Sequence, residues 1–407
     1  MSTPSSPIRV SCVSLPVHGH MTPLLPVLAE LVQRGVVVDA LVSDEFAAPA
    51  TATGAAITPY PEWLEQHVER PSDNVFAVAA LLATLTADQL LDLTTAYLQR
   101  TKPDVVLTDS MAPWGRLAGE RLGVPVVTST SSFVFTARSG ASPRATLDLL
   151  RRAGQGAGAL ATIARTSRAM RRRYGVDTGG PLRLLSNRGD ATLVYTSAEL
   201  QPAARHLGPS AHFVGPTAAE RPAQPLAGDD PLAPVLQAAA GGAPLAYVSL
   251  GTIYNEQPAF LRAAAQALSS LGMTVVVAVG ERVPLASLGP LPEGVVAVRS
   301  APQLLILDHA KVFVTHGGMN SVHESLWRGV PMVVFPQAAD QPIVGDRLKQ
   351  LGAGVVLRGR EPSVEEIRRA ASAMLTAPAS ERAQALGRGL RAGGGASAAA
   401  DVILELV

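Results

Sequence analysis

The chain contains 407 residues, of which 47% are hydrophobic and 16% are charged, and its formal net charge is +1. This length exceeds what one hydrophobic core usually supports, so we expect two domains. The near-neutral charge gives no reason to expect nucleic acid or an anionic membrane as a partner. Because Cys12 is the only cysteine, the chain cannot form an internal disulfide.

The N-terminal segment shows no targeting pattern. Residues 1–7 form a short Ser/Pro-rich tail that leads into a strand pattern, without the basic start and long apolar stretch of a signal peptide. No apolar run approaches the ~20 residues that span a bilayer. We therefore expect a cytoplasmic protein without stable membrane insertion.

Strand and helix patterns alternate in the first half, which favours a parallel sheet covered by helices. The predicted strands lie at 8–15, 36–41, 104–107 and 124–128, and the predicted helices at 22–34 and 115–121. Ligands of such sheets bind at the carboxyl ends of the strands. Functional residues are therefore expected in the turns that follow the strands.

A histidine follows the first predicted strand. Thr22 is a suitable N-cap and Pro23 suits the first helical position, so His20 is expected directly before a helix N-terminus. The partial positive charge there disfavours imidazolium and favours a neutral ring that can accept a proton. From these residues alone, a structural histidine that bonds a nearby carbonyl is an equally good interpretation.

Asp109 follows the predicted strand at 104–107, which puts a carboxylate at the carboxyl edge of the same sheet. From the residues alone, this carboxylate can serve as the N-cap of the helix after Pro113.

The segment 217–234 is rich in Pro, Ala, Gly and Asp and is predicted to be a linker. Its acidic pair, Asp229-Asp230, is expected in a solvated loop, and no Cys/His cluster has the spacing of metal ligands, so we expect no metal site. Strand and helix patterns then resume. The predicted strands lie at 245–250, 274–279, 295–298, 311–315 and 355–357, and the predicted helices at 258–270, 342–351 and from Ser363, with Glu366 in capping-box spacing.

The most informative segment is Thr315-His316-Gly317-Gly318-Met319-Asn320-Ser321. It reads as a strand end, a turn and a helix that begins near Asn320, which places N–H donors and a helix N-terminus beside an imidazole. That arrangement suits a diphosphate. Taken singly, each feature has a structural explanation, since Ser321 and Glu324 have capping-box spacing and the glycines suit a tight turn.

Together with Ala301-Pro302-Gln303 and Asp340-Gln341, this segment resembles the nucleotide-sugar-binding motif of the UDP-glycosyltransferases. Gly19-His20 followed by Pro23 resembles the element that carries the catalytic histidine in this family. The whole chain is most similar to the bacterial enzymes that glycosylate macrolides and other natural products. The resemblance implies an α/β fold of the GT-B type, with two Rossmann-like doubly wound domains facing across a cleft.

The expected domains follow from the pattern and the resemblance. They are an acceptor-binding domain at 1–216, the linker at 217–234, a nucleotide-sugar-binding domain at 235–385, and a C-terminal segment at 386–407 whose helix crosses back onto the first domain.

The resemblance also implies residue roles. His20 would be the general base and Asp109 its orienting partner. Gln303 and Glu324 would bond the ribose, whereas Asp340 and Gln341 would bond the sugar. The full set of implied donor-binding residues is Ser249, Thr252, Ala301, Gln303, His316, Gly318, Asn320, Ser321, Glu324, Asp340 and Gln341.

The implied reaction is metal-independent, inverting transfer of a hexose, with glucose expected, from a UDP-sugar to a hydroxyl of a hydrophobic small molecule such as a macrolide or polyphenol. The nucleotide sugar is a co-substrate and no cofactor is expected. We expect a monomer or weak dimer.

One position departs from the family pattern. The family usually has Trp before the Ala-Pro-Gln, where it stacks on the uracil, and this chain has Ser300. Losing such a platform costs ~1–3 kcal/mol of base stacking. A dTDP-deoxysugar is therefore the alternative donor.

The acceptor-binding candidates are side chains of the first domain that should surround the cleft near the base. They are His18, Trp63, Phe76, Trp114 and Phe133. The Arg-rich segment 144–173 is expected to be a solvated helix face, with an acidic acceptor or a membrane surface as alternative partners.

Two rival functions remain. One is a nucleotide-sugar-binding protein that no longer catalyses transfer, and the other is an epimerase of a nucleotide-linked hexose, which also uses two Rossmann-like domains. The presence of both His20 and Asp109 argues against the first, and the C-terminal motif suits transfer better than epimerisation.

Overall fold

The computed structural model describes residues 6–64, 75–136, 157–219, 226, 230–251 and 255–407. The chain divides into two compact units, Met1–Ala218 with Ala392–Val407, and Ala219–Arg391. The boundary between the two units at Ala218 thus lies at the start of the predicted linker. Residues 386–391, which sequence analysis grouped with the C-terminal segment, lie in the second unit.

The first unit contains a parallel sheet of seven strands among the described residues, in the order β3-β2-β1-β4-β5-β6-β7. The strands are β1 Arg9–Val13, β2 Val37–Val42, β3 Ala56–Pro59, β4 Val105–Asp109, β5 Val126–Thr130, β6 Ala191–Val194 and β7 Ala211–Phe213. The α-helices are His18–Gln33, Asp44–Thr51, Val75–Leu85, Leu91–Thr101, Pro113–Leu122, Ala157–Tyr174, Pro181–Ser186 and Gly395–Leu404, with a π-helical turn at Thr86–Leu90 and a 3₁₀ turn at Ala204–His206.

The second unit contains a parallel sheet of six strands among its described residues, in the order β10-β9-β8-β11-β12-β13. The strands are β8 Leu245–Ser249, β9 Thr274–Ala278, β10 Val295–Val298, β11 Ala310–Thr315, β12 Met332–Val334 and β13 Gly354–Val356. The α-helices are Ala233–Ala240, Pro258–Ser269, Gln303–Leu307, Met319–Trp327, Gln341–Gln350, Val364–Met374 and Ala377–Arg391, with a 3₁₀ turn at Leu285–Leu288. The predicted capping box of Ser363 and Glu366 is present.

Both sheets have doubly wound order, which confirms the predicted fold class. Their central strands are apolar runs buried on both faces, because helices cover both sides of a parallel sheet. The strand order reverses between β1 and β4 in the first unit and between β8 and β11 in the second. Ligands of such sheets bind outside the carboxyl ends of the strands at this reversal.

The first helix begins four residues before the predicted N-cap, Thr22, and this prediction is wrong. Its N-cap is Val17, whose carbonyl accepts hydrogen bonds from the N–H groups of His20 and Met21, both at 3.0 Å. His20 therefore lies in the first helical turn, and Pro23 lies inside the helix. The histidine still lies at the positive end of the helix dipole.

One stretch of the described residues, Phe76–Thr101, is long and apolar enough to cross a membrane by length and composition alone. This corrects the expectation that no apolar run approaches that length. Leu82, Leu90 and Leu98 of this stretch pack in an apolar core of the first unit, and a core helix passes the same test. The stretch is therefore weak evidence for a membrane, and the cytoplasmic location stays a prediction.

The C-terminal helix completes the core of the first unit. Ala399 and Ile403 are fully buried in the cluster that includes residues of β1 and of the His18–Gln33 helix. The N–H of Gly395 donates to the carbonyl of Val214 at 2.7 Å, just after β7. The predicted return of the chain thus has specific contacts in this structure.

Replacement by alanine should have opposite effects on stability at two glycines of the Ala377–Arg391 helix. A Cβ at Gly387 would overlap the backbone of Leu326, whereas a Cβ at Gly389 would meet no atom within 4 Å. We expect Gly389→Ala to raise the free energy of unfolding by about 0.4–1 kcal/mol and Gly387→Ala to lower it by about 1–3 kcal/mol. Urea unfolding of both variants measures the difference, and equal midpoints would contradict this packing.

Candidate active site

His20 and Asp109 lie together at the strand reversal of the first unit. His20 follows β1, Asp109 ends β4, and these two strands are neighbours. Nδ1 of His20 lies 2.9 Å from Oδ1 and 2.8 Å from Oδ2 of Asp109. The Asp109 side chain is fully buried, whereas the His20 side chain is 20% exposed.

This contact selects one form of the imidazole. A carboxylate that accepts from Nδ1–H favours the neutral tautomer in which the lone pair resides on Nε2. Asp109 is itself held, because its Oδ1 also accepts the N–H of Met111 at 2.6 Å. Oγ of Ser131, directly after β5, lies 3.2 Å from Nδ1 of His20. The ring, which follows β1, is therefore oriented by groups at the ends of two further strands, β4 and β5.

The candidate acceptor-binding residues fall into two groups. Trp114 and Phe133 are buried, and the indole N–H of Trp114 donates to the Tyr60 hydroxyl at 3.0 Å, so these two rings present almost no surface to a ligand. Trp63 and Phe76 are partly exposed.

His18 lies on the same helix as His20 but has a different environment. Its Nε2 lies 2.9 Å from Oε1 of Glu45, its side chain is 63% exposed, and its ring contacts Phe46 edge-on. It therefore makes a solvent-exposed contact with a carboxylate, and it provides a matched control for His20.

The described part of the Arg-rich segment is the helix Ala157–Tyr174. Ile163 and Met170 face the core, whereas the five arginines of this helix are exposed. Arg171 pairs with Asp177 at 2.9 Å and Arg173 pairs with Asp92 at 3.0 Å. These contacts describe a solvated face; residues 144–156 lie outside the described residues.

The second unit places His316 at its own strand reversal, directly after β11. Its ring lies between two glycines. A Cβ at Gly251 would lie 2.7 Å from the imidazole Cε1, and a Cβ at Gly318 would lie 3.0 Å from the same atom. Only glycines allow the ring to pack here, and Gly251 also has φ +76.

The helix Met319–Trp327 begins directly after Gly318, which is its N-cap. Its first N–H groups have no partner within the helix, so they and the helix dipole favour an anion at this end. Nδ1 of His316 is buried and has no hydrogen-bond partner among the described residues. Buried nitrogen atoms of this kind usually have a partner, and a bound ligand can supply one.

Gln303, Ser321 and Glu324 are brought together. The amide Nε2 of Gln303 lies 2.6 Å from Oε2 of Glu324 and 3.2 Å from Oγ of Ser321. Glu324 is only 4% exposed, so this carboxylate is held by its neighbours rather than by solvent. The site thereby presents a fixed carboxylate and amide beside the helix N-terminus.

Asp340 and Gln341 occupy the turn between β12 and the Gln341–Gln350 helix. Oε1 of Gln341 accepts the N–H groups of Gln337 at 2.7 Å and Ala338 at 3.0 Å, so this side chain fixes the turn. Ala339 has φ 56, a strained value for a residue with a Cβ. Asp340 is the N-cap of the helix and is partly exposed.

The remaining donor-binding candidates have the following positions. Ser249 ends β8 and pairs in register with Thr315 of β11. Ala301 is partly exposed before the Gln303–Leu307 helix, and Asn320 lies in the first turn of the Met319–Trp327 helix. Thr252 lies outside the described residues, as does Asp229.

Sequence analysis missed Asn255. This residue is 1% exposed, and its Nδ2 donates to the carbonyl of Gly251 at 2.8 Å. A Cβ at Gly280 would overlap the same amide. Asn255 thus holds Gly251, the residue that packs against the His316 ring, and the only signal in the sequence is an Asn shortly after the strand-end glycine.

Among the described residues, no three or more His, Cys, Asp or Glu side chains form a group that could hold a metal ion. Oδ1 of Asp230, from the predicted linker, accepts the N–H of Leu232 at 2.8 Å.

Burial keeps two histidines of the second unit neutral. It lowers the pKa of His316 from its ordinary 6.5 to about 4, against a smaller opposing effect of a hydrogen bond with the Ser249 backbone. Burial also lowers the pKa of His323 to about 3. A neutral imidazole can donate a hydrogen bond to a phosphate oxygen from the one ring nitrogen that carries a proton.

The unfolding of the second unit should therefore depend on pH. The unfolded chain binds a proton at each of these histidines below about pH 6.5, whereas the folded unit does not. Stability is fully present above that pH and is lost as pH falls toward 4. Each histidine contributes a slope of up to about 1.4 kcal/mol per pH unit. Urea unfolding between pH 7 and 5 measures how the free energy of unfolding depends on pH. In His316→Gln, this slope should fall by the contribution of one histidine. A slope that is the same in the variant and the parent would contradict the prediction.

Comparison with known proteins identifies the family. A model of the family described as UDP-glucoronosyl and UDP-glucosyl transferase matches residues 185–385. The NDP-glycosyltransferase YjiC of Bacillus licheniformis is 30% identical over 97% of this chain and 96% of its own. The oleandomycin glycosyltransferase of Streptomyces antibioticus is 31% identical over 99% of this chain and 92% of its own.

A solved structure agrees with these relatives. The crystal structure of the glycotransferase of kitacinnamycin is similar to this chain with a TM-score of 0.83 and 29% identity, and the similarity covers 99% of this chain and 100% of that one. With relatives aligned over nearly the whole chain, this protein belongs to the UDP-glycosyltransferase family and is a glycosyltransferase of the GT-B fold.

Proposed function

We propose that this protein transfers a hexose, with inversion, from a UDP-sugar to a hydroxyl of a hydrophobic small molecule, with His20 as general base. The observation that carries the proposal is the contact of His20 Nδ1 with both carboxylate oxygens of the buried Asp109. This contact favours Nε2 as the basic nitrogen and orients the ring. The acceptor hydroxyl would deliver its proton to Nε2.

Asp109 contributes in two ways. It fixes the tautomer of His20, and its negative charge stabilises the imidazolium that forms when the proton is taken. A base positioned in this way contributes ~10²–10⁴-fold in rate. The deprotonated hydroxyl then attacks the anomeric carbon from the face opposite the diphosphate, so an α-linked donor gives a β-glycoside.

The second unit would bind the donor. In this proposal, the diphosphate lies at the N-terminus of the Met319–Trp327 helix, beside the imidazole of His316 that packs against the N-cap Gly318. Donors fixed at this position stabilise the charge that grows on the leaving diphosphate, and the proposal assigns this task to them rather than to a metal ion or cofactor. The carboxylate of Glu324, held by Gln303, would accept hydrogen bonds from the ribose hydroxyls.

The choice of nucleotide depends on Ser300. This residue is exposed and offers no aromatic surface for a pyrimidine. We propose a UDP-sugar as donor, with a dTDP-deoxysugar as the alternative that competes better than in relatives with a Trp platform. Calorimetry compares the two nucleotides directly, and UDP bound a hundredfold more tightly than dTDP would exclude the alternative.

The acceptor would be a natural product with an accessible hydroxyl. The names of the oleandomycin and kitacinnamycin enzymes refer to such compounds. The partly exposed Trp63 and Phe76 are candidates for contact with its apolar surface.

The test is a mass-spectrometric screen of UDP- and dTDP-sugars against hydrophobic alcohols, with His20→Ala as control. We expect an acceptor product whose mass increases by one hexose residue and which the variant forms slowly. A change of the nucleotide sugar without any acceptor would indicate an epimerase instead. Binding without turnover across the screen would indicate a protein that has lost catalysis.

A further inference from the structure

Asn187 makes an unusual set of buried contacts next to the His20–Asp109 pair. Its side chain is fully buried, and its Nδ2 donates to the backbone carbonyl of Asp109 at 2.8 Å. Its Oδ1 accepts Nε–H of Arg116 at 2.8 Å. Both polar atoms of the amide are therefore used, and one of them reaches the residue that orients the proposed base.

The backbone of Asn187 is fixed as firmly as its side chain. It has φ 41 and ψ 38, the left-handed region that Asn adopts more readily than most residues, and it caps the Pro181–Ser186 helix. Its N–H donates to the carbonyl of Arg183 at 2.8 Å, and its carbonyl accepts Oγ1–H of Thr128 at 2.6 Å. The amide is thus held rigidly against the end of β4.

Arg116 determines which way this amide points. Its guanidinium is a hydrogen-bond donor only, so Nε–H requires the oxygen of Asn187 on its side and turns Nδ2 toward Asp109. Arg116 is 0% exposed, and its Nη1 pairs with Glu120 at 2.6 Å. A buried arginine is rare, because its charge must be compensated. In this position, Arg116 holds the side chain of Asn187.

We propose that Asn187, oriented by Arg116, is the positioning residue for the Asp109–His20 pair; this inference rests on the proposed role of His20. The Asp109 carbonyl accepts hydrogen bonds from the N–H of Ala112 at 2.9 Å and from the side-chain amide of Asn187. Without Asn187, this carbonyl loses its hydrogen bond from a side chain. The carboxylate then moves relative to Nδ1 of His20, and the proton-accepting tautomer is no longer favoured.

Asn187→Gly is the sharpest variant, because glycine keeps the left-handed backbone and removes only the amide. We expect kcat to fall about 10–100-fold with KM for the nucleotide sugar unchanged, since the donor residues belong to the second unit. In ¹⁵N-histidine spectra of the free protein, the His20 ring should change from the Nδ1–H form to a mixture of tautomers. An unchanged ring signal together with unchanged kcat would overturn the inference.

Two further variants separate positioning from loss of stability. Thr128→Val removes the hydrogen bonds of this hydroxyl with the Asn187 carbonyl and the Gly189 N–H but keeps the Asn187 amide, so it should lower stability while changing the His20 signal and kcat less than Asn187→Gly does. Asn187→Asp keeps the shape and the contact with Arg116 but places an oxygen against the Asp109 carbonyl, and it carries the test if the glycine variant does not fold. A normal ring signal and kcat in a folded Asn187→Asp would overturn the inference.

The spectra of the His20 ring show whether the inference about Asn187 fails independently of the proposed function. If His20→Ala leaves turnover unchanged, the proposed base is wrong, whereas the effect of Asn187 on the His20 ring can still be seen without any substrate.

Discussion

Replacement of His20 by alanine should lower kcat by about 10²–10⁴-fold. The variant loses the only imidazole that contacts Asp109 among the described residues, so no positioned group remains to take the hydroxyl proton. Binding of the nucleotide should persist, because the candidate donor residues lie in the other unit. Initial rates with saturating donor, together with calorimetry of UDP, measure the two effects separately.

His18→Ala is the matched control for this experiment. His18 lies two residues earlier on the same helix, and its partner is the exposed Glu45 rather than a buried carboxylate. Because this imidazole is solvent-exposed and is not held by a buried carboxylate, turnover by this variant should stay near that of the parent. If His18→Ala abolished activity and His20→Ala kept it, His18 would be the general base and the assignment to His20 would be wrong.

Gly318→Ala should weaken donor binding by about 10–150-fold, the equivalent of ~1.5–3 kcal/mol for charge-assisted hydrogen bonds. Gly318 has φ -63 and ψ 137, which alanine accepts without strain. The methyl group would instead overlap the imidazole of His316. The ring must then move, and Nε2, one of its atoms nearest to Gly318, leaves its place beside the helix N-terminus.

A double-mutant cycle tests whether the effect passes through the ring. In a His316→Ala background the added methyl group meets no imidazole, so Gly318→Ala should have little further effect on the Kd of UDP. Gly389→Ala, which adds a methyl group in open space of the same unit, controls for the substitution itself. Equal losses in both backgrounds would contradict a steric mechanism.

The sequence predicted the architecture because both halves follow simple local rules. Apolar runs such as those of β8 and β11 are short and buried on both faces, and helices with polar faces follow them. His20 and Asp109 could be placed at one sheet edge because Asp109 ends a strand and His20 lies in the segment that follows one. The structure adds their separation and the identity of the bonded nitrogen.

Other features of the structure could not be predicted from the local sequence. Thr22 has the chemistry of an N-cap, but the chain turns into the helix earlier, where the Val17 carbonyl accepts the first hydrogen bonds. Asn187 lies 78 positions from Asp109 along the chain, so no spacing rule could connect them. Trp114 was a candidate for the acceptor site, yet its ring is buried beside Tyr60, since large aromatic side chains serve cores as readily as pockets.

The return of the C-terminal helix to the first unit has a consequence for biosynthesis. The segment that fills the core with Ala399 and Ile403 is synthesised after the whole second unit. On the ribosome, the unit that carries His20 therefore lacks part of its core until the second unit has been synthesised. Removal of the Gly395–Leu404 helix should destabilise the first unit, although the second unit lies between them along the chain.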